Sequence, residues 1–196
     1  MTVADRTIGE FLDDIASENV TPAGGTAAAI GGATGAALCE TVCIHTIERD
    51  GPADGETELA EIRTDLGTQR AHLLDLAERD AEVVAAFGEG SSAEVTETVT
   101  KRAAGIPLTI AQASLTVVEH ATVVTEEGSP NAVADAVTGA FLAHSALEAS
   151  LFTVRANLES IPDEGFVAEM EERAADIETR AETAFERVEA NANSTS

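Results

Sequence analysis

Apolar residues recur at intervals of three and four along most of the chain, which is the spacing of amphipathic helices. A capping-box pattern at residues 7–10 precedes one such repeat and predicts a short first helix. A much longer repeat predicts a helix over residues 56–87, and only Gln69 and Asp80 among its members are polar. Its members are Leu59, Ile62, Leu66, Gln69, Leu73, Leu76, Asp80, Val83 and Phe87. No segment alternates like a strand for long enough to matter, so the sequence predicts an all-α fold.

Turn and capping signals divide the chain into about six helices, of which the central ones are long. The remaining four are predicted at residues 26–49, 95–124, 130–161 and 166–188, and turns are predicted at 50–55 and 88–92. Pro107 lies inside the fourth helix and predicts a kink or break near Gly105. Ser129 followed by Pro130 predicts an N-cap and a first helical residue. We therefore expect one helical bundle over residues 1–190 and a disordered tail at 191–196.

The stretch from residue 19 to 39 carries no charge and consists mainly of Ala, Gly and Thr. Small residues recur four apart within it, at Ala27, Gly31 and Gly35, which lets neighbouring helices approach its backbone closely. The body of this segment is predicted to be a buried core helix, and its Gly and Pro content argues against a membrane span. The turn that precedes it, at residues 22–26, could hold an anion on free backbone N–H groups.

Composition narrows the classes of partner. The chain has 36 acidic and 11 basic residues, a net charge of −25 and a single lysine, Lys101. This excess of carboxylates is typical of proteins from salt-loving organisms, where salt screens their repulsion. It argues against nucleic-acid binding, because nothing could neutralise a run of phosphates. The N-terminus has no signal-peptide pattern, so we expect a cytoplasmic protein.

Two carboxylates are placed where they could carry chemistry. Asp80 lies within an apolar stripe, where a buried carboxylate needs a hydrogen-bonding partner or a chemical function. Alternatively, it lies near the helix end, partly exposed to water, or pairs with an arginine, and both interpretations remain open. Asp135 lies in the first turns of its helix, where the helix dipole alone would stabilise it; Thr153 and Asn157 continue the same column. No metal-binding spacing occurs, and the two cysteines are interpreted as core residues.

Three segments resemble the formiminotransferase-cyclodeaminase C-terminal family, which includes formiminotetrahydrofolate cyclodeaminase and methenyltetrahydrofolate cyclohydrolase. The first is residues 21–38 (TPAGGTAAAIGGATGAAL), and the second is residues 73–87, which contain the Asp80-Ala81 pair. The third runs from residues 106–108 to the end of the stretch 128–163. The last is the most specific, since Asn131, Asp135, Asn157 and Asp163 stand in register. The resemblance implies an all-helical homodimer that binds folate in a cleft at the subunit interface.

The resemblance also implies roles for individual residues. Asp135 is our first choice, and Asp80 our second, for the carboxylate that places a water and accepts its proton. Folate contacts are assigned to Gly24, Gly25, Thr26, Asn131 and Asn157. Lys101 and Arg102 could attract the glutamate tail of folate, or they are ordinary surface charges. A tetrahydrofolate derivative is then the substrate, with no metal.

The leading hypothesis, which rests mostly on the resemblance, is methenyltetrahydrofolate cyclohydrolase. The sequence has no transferase domain to hand over a formimino group, which slightly disfavours the cyclodeaminase, although stand-alone cyclodeaminases are possible. The alternatives are a formiminotetrahydrofolate cyclodeaminase and a non-catalytic folate-binding helical dimer. The last is motivated by departures from the family pattern at Ala23, Thr26, Ser129, Ala134 and Thr153.

Overall fold

The fold is built from helices throughout the part of the chain that the structure, a computed structural model, describes: residues 2–50, 56–89 and 97–194. Within these ranges there is a 3₁₀ turn at Val3–Asp5, six α-helices and no strand. The helices are α1 (Ile8–Ile15), α2 (Gly24–Asp50), α3 (Glu56–Glu89), α4 (Glu97–Glu127), α5 (Val133–Leu158) and α6 (Glu164–Ser194). The prediction of an all-α bundle is confirmed. The predicted turn regions at 51–55 and 90–92 lie outside the described residues, while Gly88 and Glu89 still belong to α3.

Helix α1 forms as its capping box predicts, but it lies apart from the bundle. The Glu10 backbone N–H donates to Thr7 Oγ1 at 3.2 Å, and the Thr7 N–H donates to Glu10 Oε2 at 2.9 Å. Apart from Phe11, which packs against the core, α1 makes hardly any contact with the other helices. Ile8 is 81% exposed and Leu12 55% exposed. The apolar face of α1 therefore has no cover from the residues that the structure describes.

Helix α2 is the core helix that its composition predicts. It packs against α3, α4 and α5. Its buried residues are small apart from one valine, so the larger side chains of the neighbouring helices fill the space around it. They include Ala29, Ala33, Ala36, Cys39, Val42 and Cys43.

The closest helix contact is between α2 and α5. A Cβ placed on Gly139 would lie 2.7 Å from the carbonyl oxygen of Gly35, and one on Gly35 would lie 3.0 Å from the backbone nitrogen of Ala143. The two backbones therefore touch, and only glycine fits at the crossing. The contacts of Gly31 with Ala146 and of Cys39 with the Ala136 carbonyl show that the helices are antiparallel.

Helix α4 continues through Pro107, so of the kink or break predicted near Gly105 the break does not occur. Proline has no N–H, and in a helix it leaves the carbonyl four residues earlier, that of Ala103, without its partner. The side-chain Nδ2 of Asn157, on α5, donates to the Ala103 oxygen at 2.7 Å. Pro107 is itself buried. The neighbouring helix thus supplies the hydrogen bond that the proline removes.

Helix α5 begins at Val133 rather than at Pro130, with Ala132 as its N-cap residue. Ser129 does not cap the helix with its side chain, because its hydroxyl is bonded by the Arg49 guanidinium. Its backbone N–H donates to Thr46 Oγ1 at 2.9 Å. Ser129 therefore ties the α4–α5 connection to the end of α2. At the other end α5 stops at Leu158, three residues before the predicted end.

Helix α6 continues further than the sequence predicts. The tail was expected from residue 191, but α6 extends to Ser194. Asn191 explains the difference, since its Nδ2 donates to the Thr122 carbonyl at 3.0 Å and to Thr125 Oγ1 at 3.1 Å. These bonds fix the last turns of α6 on α4.

Two helices have the length and composition of membrane spans, Gly24–Arg49 in α2 and Val133–Leu158 in α5. Core helices of soluble proteins share both properties. In α2 the packing against three other helices accounts for the apolar composition. In α5, one face is packed and the other exposes Phe141, Leu142 and Phe152.

The hydrogen bond between Asn157 and the Ala103 carbonyl predicts coupling between Asn157 and Pro107. Replacing Asn157 with Ala should lower the free energy of unfolding by about 1–3 kcal/mol, because the half-buried Ala103 carbonyl loses the donor that replaces the missing N–H of Pro107. In a Pro107→Ala background the cost should be smaller, since residue 107 then has an N–H for Ala103. Chemical denaturation of the four proteins measures the coupling; strictly additive losses would contradict this explanation.

Candidate functional site

The N-terminus of α2 and the middle of α3 form the most unusual polar contact in the described part of the chain. The Thr21–Pro22 peptide bond, in the loop before α2, is cis. Asp80 is only 6% exposed, and its Oδ2 accepts a hydrogen bond of 2.8 Å from the hydroxyl of Thr26, which is fully buried. The Thr26 backbone N–H also bonds this carboxylate. A side chain of α3 therefore caps the start of α2, 54 residues away in sequence.

Glycine is required where Asp80 meets α2. A Cβ on Gly25 would lie 2.7 Å from Cγ and 2.8 Å from Oδ2 of Asp80, which is closer than real contacts allow. Gly24 has no atom within 4 Å of the same position. The two glycines of the predicted folate loop thus differ, because only Gly25 is needed for the carboxylate to reach the helix end.

Burial makes Asp80 an unusual acid. Loss of hydration raises the pKa of its carboxyl group above the ordinary value, and the two hydrogen bonds from Thr26 oppose that shift without cancelling it. Of the alternatives that the sequence left open, the structure excludes an exposed Asp80. Its partner is the hydroxyl and N–H of Thr26. A desolvated carboxylate with a raised pKa accepts a proton more readily than an exposed one does.

Asp135 and Asn131 lie at the opposite end of α2 from Asp80. Ala136, next to Asp135, contacts Cys39, which lies 14 residues after Gly25; that is about 21 Å along a helix. Both side chains are exposed. The Asp135 side chain makes no hydrogen bond or ion pair within the described ranges, while its backbone N–H donates to the Ala132 carbonyl. Within one chain, the structure therefore does not bring the two predicted catalytic carboxylates together.

Asn157 is half-buried near the end of α5, and its amide group already donates to Ala103. The sequence analysis did not predict this structural role. The signal for it was Pro107, because a proline inside a helix leaves the carbonyl four residues earlier, at position 103, without its usual donor. The bond between Thr26 and Asp80 was also missed, because no local pattern links residues 54 apart.

The cysteines are buried, as predicted, and burial raises the pKa of Cys39 to about 12 and that of Cys43 to about 11. Both thiols are therefore protonated at neutral pH, and protonated thiols are poor metal ligands. Across residues 2–50, 56–89 and 97–194, no group of three or more His, Cys, Asp or Glu side chains is placed to hold a metal ion.

Comparisons with known proteins agree on one family. Residues 7–176 match the family described as formiminotransferase-cyclodeaminase. A methenyltetrahydrofolate cyclohydrolase from Methylorubrum extorquens is 31% identical over 186 residues, which cover 89% of this chain and 88% of the relative. The crystal structure of a formiminotetrahydrofolate cyclodeaminase from Thermotoga maritima is 29% identical, with a TM-score of 0.89 and coverage of 96% of both chains.

The contact between Gly25 and Asp80 predicts different effects for two neighbouring substitutions. Gly25→Ala should displace the Asp80 side chain and lower the free energy of unfolding by about 1–3 kcal/mol, as overpacking does. Gly24→Ala is the matched control and should leave stability unchanged or slightly raised, because alanine favours a helix over glycine. Thermal unfolding of both variants tests this, and equal midpoints would contradict the packing described.

Removing the Thr26 hydroxyl should change the pH dependence of stability. Asp80 has a raised pKa in the folded state, so its contribution to stability is present below the pKa of the unfolded chain and is lost as pH rises through the folded pKa. Thr26→Val removes a bond that favours the ionised form, so the pKa of Asp80 should rise further.

The loss of stability in Thr26→Val should therefore be largest at neutral pH and shrink as Asp80 becomes protonated in acid. Thr34→Val is the control, since the Thr34 hydroxyl is exposed and bonds only the Ile30 carbonyl of the same helix. Denaturation at a series of pH values measures both variants. A loss that does not vary with pH would show that Thr26 does not act through Asp80.

Proposed function

The chain belongs to the formiminotransferase-cyclodeaminase family, and from that premise we propose that it is a methenyltetrahydrofolate cyclohydrolase. The reaction would hydrolyse the methenyl bridge of a tetrahydrofolate derivative to the 10-formyl form. The observation that carries this proposal is the buried carboxylate of Asp80 at the start of α2, in a chain 31% identical over most of its length to a protein of that name.

The chemistry requires little beyond a placed water and a proton acceptor. In the reaction the water oxygen bonds to the methenyl carbon and the bond from that carbon to N5 breaks. The water loses both of its protons, one to the proton acceptor and one to N5. The methenyl group is cationic, so a carboxylate beside it stabilises the bound substrate electrostatically. Asp80 meets the requirements for the acceptor, because burial raises its pKa and Thr26 fixes its orientation.

The sequence favoured Asp135 over Asp80 for the same role, and the separation of the two residues suggests that the role is divided. We assign proton transfer to Asp80 and stabilisation of the cation to Asp135 of a second subunit. Gly24, Gly25 and Thr26 would contact the folate from one side, and Asn131 from the other. Asn157 would contribute through its oxygen, since its amide nitrogen already bonds Ala103.

Uncovered apolar surface supports a dimer. Phe152 is 74% exposed, Phe141 47% and Leu142 36%. In a helix these residues share one side of α5, and Asp135, also exposed, stands at the border of that side. The apolar residues of α1 are exposed as well. A second copy of the chain would remove this surface from water, which is a strong driving force for association.

The geometry of a two-fold dimer would place the carboxylates together. A symmetric interface on the exposed side of α5 pairs two α5 helices in antiparallel orientation. Because α2 and α5 are antiparallel and Gly31 is opposite Ala146, residue Thr153 is about level with Gly24. The start of the partner's α5 would then lie near the start of α2, where Asp80 is. Such a site is incomplete in one chain, which accounts for the distance of about 21 Å within it.

The second candidate is a formiminotetrahydrofolate cyclodeaminase, which closes the ring with loss of ammonia. The relative from Thermotoga maritima carries that name and shares the fold over 96% of the chain. The same carboxylates would serve, since both reactions act on a one-carbon unit held between two folate nitrogens. The two functions are distinguished by the product.

The proposed function predicts accelerated loss of methenyltetrahydrofolate absorbance when the purified protein is added in molar KCl, the salt expected for a cytoplasmic protein of this charge. No acceleration over buffer would exclude the cyclohydrolase. Ammonia release from formiminotetrahydrofolate would favour the second candidate, and inactivity in both assays would favour a non-catalytic protein.

Asp80→Asn and Asp135→Asn should each lower the rate by about two orders of magnitude or more with the fold intact. Co-expressing the two variants with different tags allows the mixed dimer to be purified. Each mixed dimer contains one site with both carboxylates and one with neither, so it should recover about half of the wild-type rate. No recovery would contradict a site shared between subunits, and a wild-type rate for Asp135→Asn would remove that residue from the mechanism.

A further inference from the structure

A cavity of about 520 Å³ opens between α3, α4 and α6 and gathers positive charge. Four of the chain's 11 basic residues line it, together with His72. The four are Arg79 of α3, Lys101 and Arg102 of α4, and Arg173 of α6. The chain has a net charge of −25, so a cluster of four basic residues at one cavity makes the electrostatic potential there opposite in sign to that of the rest of the surface.

Two of the four basic residues form ion pairs with acidic side chains. Lys101 Nζ lies 2.7 Å from both Glu97 Oε1 and Asp163 Oδ2, and Arg79 pairs with Asp75 at 2.8 Å. Arg102 and Arg173 form no ion pair or hydrogen bond with any described residue. Both are exposed at the cavity. With 36 acidic residues in the chain, two arginines without partners on facing helices indicate an anionic ligand from outside.

The apolar lining of the cavity is suited to a ligand with a hydrocarbon or aromatic part. Leu76, Ile106, Phe166 and Met170 form its walls between the charged residues. Phe166 is held in place by the cation of Lys101, which lies 5.2 Å from the ring centroid. A small inorganic ion would use the arginines and leave these walls uncovered.

We propose that this cavity binds the carboxylates of the glutamate tail of the folate substrate, with Arg102 and Arg173 as the binding residues. The proposal rests on the proposed function for the identity of the ligand. Guanidinium groups bind carboxylates with two parallel hydrogen bonds, and each further γ-linked glutamate adds one carboxylate. The methylene groups of the tail and the ring that carries it would pack on the apolar walls.

The electrostatics of the chain require such a site. A folate with several glutamates is a polyanion, and the chain's net charge repels it at low salt. Only a region where cations outnumber acids can hold the tail. The cavity is also close to the catalytic carboxylate, because Arg79 directly precedes Asp80, and Leu76, in the cavity wall, lies one helical turn before it.

The test measures binding of a fragment that cannot react, p-aminobenzoyl-triglutamate, to the full chain by calorimetry at one fixed salt concentration. The Arg102→Gln, Arg173→Gln double variant should bind the fragment about tenfold more weakly or worse, since two charged hydrogen-bonding groups are lost. Arg187→Gln is the control: it removes a charge from α6 at an exposed residue whose contact with Glu126, at 3.8 Å, is long. Its affinity should equal that of the wild type.

A charge-conserving double variant controls for the possibility that the Gln double variant loses affinity because it is misfolded. Arg102→Lys with Arg173→Lys keeps both charges and should keep most of the affinity for the fragment. In turnover, the Gln double variant should raise KM for the triglutamate substrate about tenfold and leave kcat unchanged. For a substrate without any glutamate, KM should not change.

Three results would overturn the proposal: equal affinity of the Gln double variant and the control, binding of p-aminobenzoate as tight as that of the triglutamate fragment, or full displacement of the fragment by equimolar inorganic phosphate. Failure of the proposed function would be seen in the ring-opening assay rather than in the binding of the fragment. A protein that binds the fragment through Arg102 and Arg173 but does not accelerate ring opening keeps this site and loses the cyclohydrolase.

Discussion

The packing of the helices depends on the contact between the backbones of Gly35 and Gly139, where α2 and α5 cross. Any side chain at either position would push the helices apart, since a Cβ there meets backbone atoms of the other helix. Close approach also fixes the antiparallel register of the two helices. That register places Asp135, at the start of α5, beside the C-terminal half of α2, whereas the contact between Thr26 and Asp80 lies at the start of α2. The small residues of α2 therefore decide where the polar groups stand, although they carry no chemistry themselves.

Charge is distributed in a way that complements this packing. The acid excess is carried by exposed faces, especially of α6, whose inward face is apolar. One carboxylate, Asp80, is taken out of water, and its desolvation cost is only partly offset by Thr26. Arginine is used mainly in exposed ion pairs, such as Arg155 with Glu178 and Arg180 with Glu119, which contribute little to stability. Cations without acid partners are consequently informative in this chain, because acids are available almost everywhere.

The sequence predicted the helices well because their apolar repeats are regular, and it identified Asp80 as a polar member of such a repeat without deciding whether Asp80 is buried. It could not identify Thr26 as the partner, because the pairing depends on how α2 and α3 pack. Pro107 was expected to kink or break its helix, yet α4 continues through it, and Asn157 replaces the missing donor. The start of α5 was placed at Pro130 from a local signal that the tertiary bonds of Ser129 override. Local patterns thus predicted elements, whereas polar partners and helix ends required the tertiary structure.

A buried carboxylate and an exposed apolar face both reduce the stability of a single chain, and one arrangement accounts for both. Association through α5 would cover Phe141 and Phe152 and would close the region around Asp80 from a second side. Water excluded there would strengthen the attraction between the carboxylates and a cationic substrate. The charge that destabilises the isolated chain would then be matched only when substrate is bound between two subunits. Features that are unfavourable in one chain would in this way be the ones that the proposed folate site between two subunits needs.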